Sequence, residues 1–179
     1  VTRQTNRVHE LLTAAVRRGD TAVDATAGNG HDTIVLARLV GPTGRVFSFD
    51  LQDEAIAATA AAVASLSHVT LIRDSHANLK AHVAGPIAAA TFNLGYRPGG
   101  DRTFVTRPES TVAGLVAAGE LLRPGGIVTV VSYVGHAGGS DEAAAVAAFV
   151  WSLDPTQWHV DWHLEPNPRS PKLCVVRKR

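Results

Sequence analysis

Carboxylates, an amide and aromatic rings recur in this chain at one kind of place, just after a short apolar run. Asp24 precedes a turn carrying Gly28, Asn29 and Gly30, and Asp50 closes Val46-Phe47-Ser48-Phe49. Asp74-Ser75-His76 follows Val69 to Arg73, and Asn93-Leu94-Gly95-Tyr96 follows Pro86 to Phe92. A turn free of side chains lets its backbone N–H groups and the next helix N-terminus approach a ligand. A carboxylate about twenty residues beyond such a turn, here Asp50, is placed to accept both hydroxyls of a ribose. Leu51 and Gln52 would then line an adenosine pocket, with Asp74 accepting from the adenine amino group and Ser75 donating nearby. Asn93 and the carbonyl beside it can accept the two N–H bonds of an amine, and Tyr96 can stack on a flat base.

The type of nucleoside follows from what surrounds the turn. A dinucleotide fingerprint wants glycine at the third position, which is Thr33 here. No Gly-Lys-Ser/Thr follows, which argues against a triphosphate site. Asp24 would repel a pyrophosphate but suits a ligand with an amine and a positive sulfur. S-adenosylmethionine fits that description better than a nicotinamide cofactor.

Other polar residues carry weaker signals. Tyr133 to Ser140 is a glycine-rich loop with Tyr133 and His136, and His136 is the best general-base candidate because histidine titrates near neutrality. A surface histidine in a mobile loop is the plain alternative. Arg102 and Arg107 are candidates for phosphate contacts or are simply solvated, and with Arg97 and Arg169 they would make a positive patch favouring RNA if the fold brings the four together. His9 reads as a surface or helix-packing residue, His31 as either a ligand contact or a solvated helix start, and Asp32 as an acid favoured by its helix terminus. His159, Asp161 and His163 share a strand face, but any half-exposed strand spaces its side chains so. No metal site is expected.

These residues need elements to hold them. Thr5 to Arg18 has the apolar stripe of a helix, in Val8, Leu11, Leu12, Ala15 and Val16. Thr21 to Ala25 reads as a strand buried on both faces and Ile127 to Ser132 as a central parallel strand, with Val46 to Asp50, Val69 to Arg73 and Pro86 to Phe92 as further strands. Between them fall helices from His31 to Val40, Asp53 to Leu66 and Pro108 to about Leu122. Arg123-Pro124-Gly125-Gly126 reads as a turn. Ser140 is expected to cap a helix from Asp141 to Leu153, with Asp141 and Glu142 in its first turn. Trp158 to Leu164 and Lys172 to Arg177 have no helix between them and should pair antiparallel. The prediction is an α/β fold: a doubly wound, seven-stranded, Rossmann-like sheet with an antiparallel last strand.

Bulk properties set outer bounds. At 179 residues and 45% hydrophobic content, one domain over 1–179 is expected, with a real core. The 17 basic and 16 acidic residues leave a formal charge of +1, which neither demands nor excludes a nucleic-acid partner. Cys174 stands alone in an apolar run, so neither a disulfide framework nor a cysteine metal site can form. No run approaches a membrane span, and a soluble cytoplasmic protein without a membrane partner is expected. The chain opens at Val1 and holds no Met, so a leading residue or segment is expected before it.

VDATAGNGHDT, FSFDLQ, FNLGYRPGGDR, LLRPGGIVTVVSYVGHAGG and the loop before PKLCVV together resemble class I S-adenosylmethionine-dependent methyltransferases. More narrowly, they are similar to the small bacterial family labelled "putative rRNA methylase". That family includes a tRNA enzyme acting on 5-aminomethyl-2-thiouridine at the wobble position. The resemblance implies that Asp24, Gly28, Asn29 and Gly30 line the methionine end of the cofactor. It puts Asp50 and Gln52 at the ribose and Asp74 with Ser75 at the adenine. Asn93 to Tyr96 resembles the Asn-Pro-Pro-Tyr motif of amino-group methyltransferases, with Leu94 and Gly95 replacing the prolines. Asn93, Tyr96 and His136 are then the catalytic set, Asn93 also touching the cofactor, and Leu94, Tyr96, Arg97, Arg102, Tyr133 and His136 contact substrate. The implied partners are tRNA and a second copy of the chain in a homodimer. An rRNA or small-molecule N-methyltransferase, or a noncatalytic S-adenosylmethionine-binding protein, are the alternatives.

Overall fold

The computed structural model describes residues 3–101, 103–167 and 169–179. Arg102, expected at the substrate, lies outside them. The strands are β1 (Thr21–Asp24), β2 (Arg45–Asp50), β3 (Val69–Arg73), β4 (Ile87–Leu94), β5 (Leu122–Ser132), β6 (Trp158–His163) and β7 (Lys172–Lys178). They form one sheet in the order β3-β2-β1-β4-β5-β7-β6. The first five are parallel, and β7 inserts antiparallel between β5 and β6. This is the doubly wound α/β sheet that the apolar runs and glycine punctuation predict.

Parallel strands covered on both faces need apolar side chains pointing both ways. In β4 every residue except Asn93 is buried. Alternation along the strands then sorts side chains into two cores. On one face Ile127, Val131, Leu173 and Val175 meet Val8 and Leu12 of α1 (Arg3–Ala15) and Leu36 and Val40 of α2 (His31–Val40). On the other, Val128, Val130, Cys174 and Val176 meet Leu115 of α5 (Pro108–Leu121) and Val146 and Val150 of α6 (Gly139–Trp151). Phe49 and Phe92 are fully buried, and truncating either to alanine costs about 3–5 kcal/mol. The strand order reverses between β1 and β4, which opens a crevice at their carboxyl ends.

Several boundaries differ from the sequence reading for physical reasons. Asn93 lies inside β4, opposite Val131 of β5, rather than beyond the strand. Arg123 to Gly126 is not a free turn: β5 starts at Leu122, pairs with Ile87, and resumes the ladder at Ile127 opposite Ala89 after a shift in register. α6 starts at Gly139 behind Gly138, whose φ of 80° ends the loop, so Ser140 sits inside the first turn and is not the cap. α3 (Asp53–Ala62) ends four residues before Leu66, and α4 (Leu79–His82), preceded by a 3-10 turn, was not legible at all. Trp158, Val160 and Trp162 pack on the core as predicted, but Leu164 lies past the end of β6 and is exposed. Among the described residues no helix is long and apolar enough to cross a membrane.

Candidate functional site

A cavity of about 290 Å3 opens where β1, β2, β3 and β4 end. Gly28, Asp50, Gln52, Asp74, Ser75, Asn93, Tyr96 and Arg97 all line it, so one crevice gathers residues from four separate predicted motifs. A second hollow of about 320 Å3 lies between α5, α6 and the sheet and is lined mainly by apolar residues such as Leu115, Phe149 and Trp158. Its charged groups are engaged: Lys178 Nζ donates to the Gly119 carbonyl, and Glu120 pairs with Lys80. The first cavity is the one lined by the polar groups that could bind a ligand.

The glycine turn is built by backbone conformation. Gly28 has φ 55° and Gly30 φ 79°, a region that side chains disfavour. A Cβ on Gly30 would also come within 3.2 Å of Thr59, so the turn sits tightly on α3. The Gly28 N–H donates to Asp50 Oδ2 at 2.9 Å, and the Gln52 N–H donates to Asp50 Oδ1 at 3.0 Å. Asp50 is thereby fixed at the cavity wall with lone pairs left on both oxygens.

Asp24 is placed beneath the turn rather than at the cavity. It is fully buried, with Oδ2 accepting from Thr33 Oγ1 at 2.6 Å and Oδ1 from the Thr26 N–H at 3.1 Å. Burial above all, and then the nearby Asp32, pushes its pKa up to about 7, against the lowering effect of those two bonds. Thr33, at the position where a dinucleotide site has glycine, thus supplies the hydroxyl that holds Asp24, and it bonds Ser48 Oγ at 2.8 Å as well. The fixed negative charge expected from Asp24 is therefore weakened. Asn29 is also turned away, its side chain donating to the Pro98 carbonyl and accepting from Arg97 Nη1 at 2.9 Å.

Asp74 reaches the wall with both oxygens already engaged. The Ser75 N–H and Asn78 Nδ2 donate to Oδ1, and His82 Nε2 donates to Oδ2. The His82 bond, followed by those from Asn78 and Ser75, holds this carboxyl below the usual carboxylate range. Ser75 Oγ accepts from the Ala77 N–H and keeps its own hydrogen free to donate.

Asn93 is held from two sides. Its backbone N–H donates to Thr26 Oγ1 at 2.8 Å, and its side-chain Nδ2 donates to Asp32 Oδ2 at 2.7 Å. Asp32 in turn accepts from His9 Nε2 at 2.6 Å on its other oxygen. The helix-start reading of Asp32 missed this role, and so did the packing reading of His9. Leu94 is a correction: its side chain is buried, and its carbonyl accepts from the Tyr133 N–H, so Gly95 lines the cavity in its place.

His136 is a second correction. Nδ1 donates to the Ala137 carbonyl at 2.9 Å, which leaves the lone pair on Nε2. That nitrogen is buried without a partner against Gly95 and Gly139, and neither His136 nor Tyr133 lines the cavity. His136 instead sets its ring edgewise on Tyr96, with centroids 5.8 Å apart at 81°. It supports the aromatic wall and is not positioned as a base.

Phe104 and Glu142 escaped the sequence reading, and His76 carried only a weak signal in it. Phe104 lines the cavity while 56% exposed, and Arg107 stands beside it at the rim. His76 lines the wall and donates through Nδ1 to the Ala25 carbonyl, and burial holds its imidazole below the usual histidine range. Glu142, read as a helix-start acid, is buried and accepts from Thr106 Oγ1 at 2.7 Å and Thr111 Oγ1 at 2.6 Å. Among the described residues no group of three His, Cys, Asp or Glu side chains could hold a metal ion.

Residues 46–177 match the family model described as "Putative rRNA methylase". The chain is 33% identical, over 98% of its length and 69% of the relative's, to the chloroplastic tRNA (mnm5s2U34)-methyltransferase of Arabidopsis thaliana. A solved "putative rRNA-methylase" from Clostridium thermocellum superposes with a TM-score of 0.96 at 41% identity, covering 100% of this chain and 99% of that one. SMU.1697c of Streptococcus mutans, described as "a putative methyltransferase" and solved in complex with SAH, gives a TM-score of 0.90 at 31% identity, with 100% and 99% covered.

Proposed function

From a chain that belongs to the "Putative rRNA methylase" family and is an S-adenosylmethionine-dependent methyltransferase, we propose methylation of a primary amine on a tRNA wobble uridine. The reaction would convert 5-aminomethyl-2-thiouridine to 5-methylaminomethyl-2-thiouridine. One observation carries the choice of an amine. An N–H of Asn93 Nδ2 is held by Asp32, which fixes the orientation of the amide and leaves Oδ1 as an acceptor for a ligand. An acceptor suits a nucleophile bearing N–H bonds. The Arabidopsis relative, a methyltransferase for the tRNA nucleoside mnm5s2U34, supports the substrate class.

The cavity residues fit the cofactor by the chemistry of their donors and acceptors. Asp50 offers acceptors for a ribose, Leu51 an apolar surface for adenine, Ser75 a hydroxyl at the adenine edge, and the Gly28 turn an open backbone. S-adenosylmethionine supplies a methyl on a positive sulfur, which the amine nitrogen takes as the carbon–sulfur bond breaks. Asn93 Oδ1 would accept an N–H bond of the amine and so aim its lone pair at the methyl. Tyr96, braced by His136, and Phe104 would hold the base. Arg97 and Arg107, which line the cavity, would contact phosphates of the anticodon loop.

A protonated amine has no lone pair. If its pKa matched that of lysine, ~10.4, presenting it neutral near pH 7.5 would cost about 4 kcal/mol, and an electron-poor uracil lowers that cost. The amine's proton then leaves to water at the cavity mouth, and no side chain in the wall is required to take it. The test is transfer of labelled methyl to tRNA lacking the final wobble methyl, beside fully modified tRNA. Label entering only the deficient tRNA is expected. Label in neither, with cofactor binding confirmed, would sink the tRNA substrate.

A further inference from the structure

An Asn side chain has two orientations of nearly the same shape, one offering oxygen and the other NH2 to a given space. Asp32 removes the choice at Asn93. A carboxylate accepts and does not donate, so a flipped amide would set oxygen against oxygen at 2.7 Å. Asp32 is itself only 5% exposed, and its second oxygen is held by His9 from α1. Three elements therefore converge on one amide: α1 through His9, the first turn of α2 through Asp32, and β4 through Asn93.

Taking the amine-acceptor reading of Asn93 as its basis, we infer that Asp32 and His9 are positioning residues that lock Asn93 as an acceptor and so select amine nucleophiles. With Asp32 removed, the amide turns and presents NH2 toward the cavity. A donor there faces the N–H bonds of the amine, or captures its lone pair, and either outcome turns that lone pair away from the methyl. His9 prevents the Asp32 carboxylate from rotating out of reach. Neither residue needs to touch substrate or cofactor for this effect. The loss falls on kcat, because alignment is spent at the transition state, while cofactor binding at Asp50 is untouched.

The test compares Asp32→Ala, His9→Ala, His9→Gln and Asn93→Ala in the full chain, each confirmed folded by its thermal transition. With tRNA bearing the free amine, Asp32→Ala is expected to lower kcat about 10- to 100-fold, with cofactor affinity by calorimetry retained. Adding it to Asn93→Ala should lower kcat no further, because both act through one group. His9→Ala should lose less than Asp32→Ala, and His9→Gln, whose amide can donate to Asp32, should recover most of that loss. The Asn93 side-chain amide protons, followed by NMR in the free enzyme, read the orientation without any substrate. They should be shifted and slow to exchange in the wild type and resemble a free amide in Asp32→Ala. Unchanged Asn93 resonances, or a wild-type kcat in folded Asp32→Ala, would overturn the inference. A wild type that leaves the tRNA unmethylated would refute the substrate instead, and the Asn93 resonances would still decide the positioning.

Discussion

Asn93 Nδ2 donates to Asp32 Oδ2 across 2.7 Å, joining the end of β4 to the first turn of α2 over 61 residues of sequence. Because Asn93 is inside a strand and paired opposite Val131, its backbone cannot shift without disturbing the centre of the sheet. The acceptor presented to the cavity is therefore as rigid as the fold. Sites carried on strands hold their geometry better than sites carried on loops.

Asp24 makes stability depend on pH. Its folded pKa near 7 lies above the ordinary 3.8 because burial disfavours the charged form. The sign follows from linkage: this group's contribution is full below about pH 3.8 and is lost as pH rises through about 7. Asp24→Asn cannot ionise, so its stability relative to wild type should improve by on the order of a few kcal/mol between pH 4 and pH 8. Urea unfolding of both proteins across that range gives the difference directly. A difference that stays flat with pH would contradict the buried, protonating Asp24.

Cys174 should be inert in the native protein. Burial first, and then Asp161, pushes its thiol up to about 12, and the reactive thiolate is scarce at neutral pH. Ellman's reagent at pH 8 should label it only under denaturing conditions. Rapid labelling of the folded protein would contradict its place in the core.

Phe104 is the exposed aromatic at the cavity rim. Stacking one base is worth about 1–3 kcal/mol, so Phe104→Ala should raise KM for tRNA roughly 5- to 150-fold. Cofactor affinity, measured by calorimetry, should not move. An unchanged KM would remove Phe104 from the substrate surface.

Glu142 ties the loop carrying Phe104 to α6. Thr106 donates to it while accepting from the Gly95 N–H at 2.8 Å, and Thr111 donates to its other oxygen. Glu142→Ala leaves these hydroxyls short of an acceptor, at about 1–3 kcal/mol for each one orphaned in the interior. The urea midpoint should fall accordingly, and Glu142→Gln should fall less. A midpoint equal to wild type would mean the hydroxyls find other acceptors.

The sheet was legible because its central strands are apolar and β-branched runs closed by a polar group, as in Ile127 to Ser132. Asp50, Gln52, Ser75, Asn93 and Tyr96 were legible because carboxyl ends of parallel strands converge on one crevice. What the sequence hid depends on distances between remote residues. His9 and Asp32 are 23 residues apart and each has an ordinary local explanation. Glu142 looked like any acid in a first helical turn until Thr106 and Thr111 came to lie against it. His136 failed as a base for a similar reason: its loop identity was visible, but the direction of Nε2 was set by packing against Gly95 and Gly139.

The most direct test of amine methylation is nucleoside analysis of tRNA deficient in the final wobble methyl after incubation with enzyme and S-adenosylmethionine. The tRNA is digested to nucleosides and resolved by mass spectrometry, with Asn93→Ala run in parallel. The expected result is loss of 5-aminomethyl-2-thiouridine and a matching gain of its N-methyl form, both abolished or nearly so by Asn93→Ala. Methyl found on a base carbon, on a ribose oxygen or on no nucleoside would contradict it.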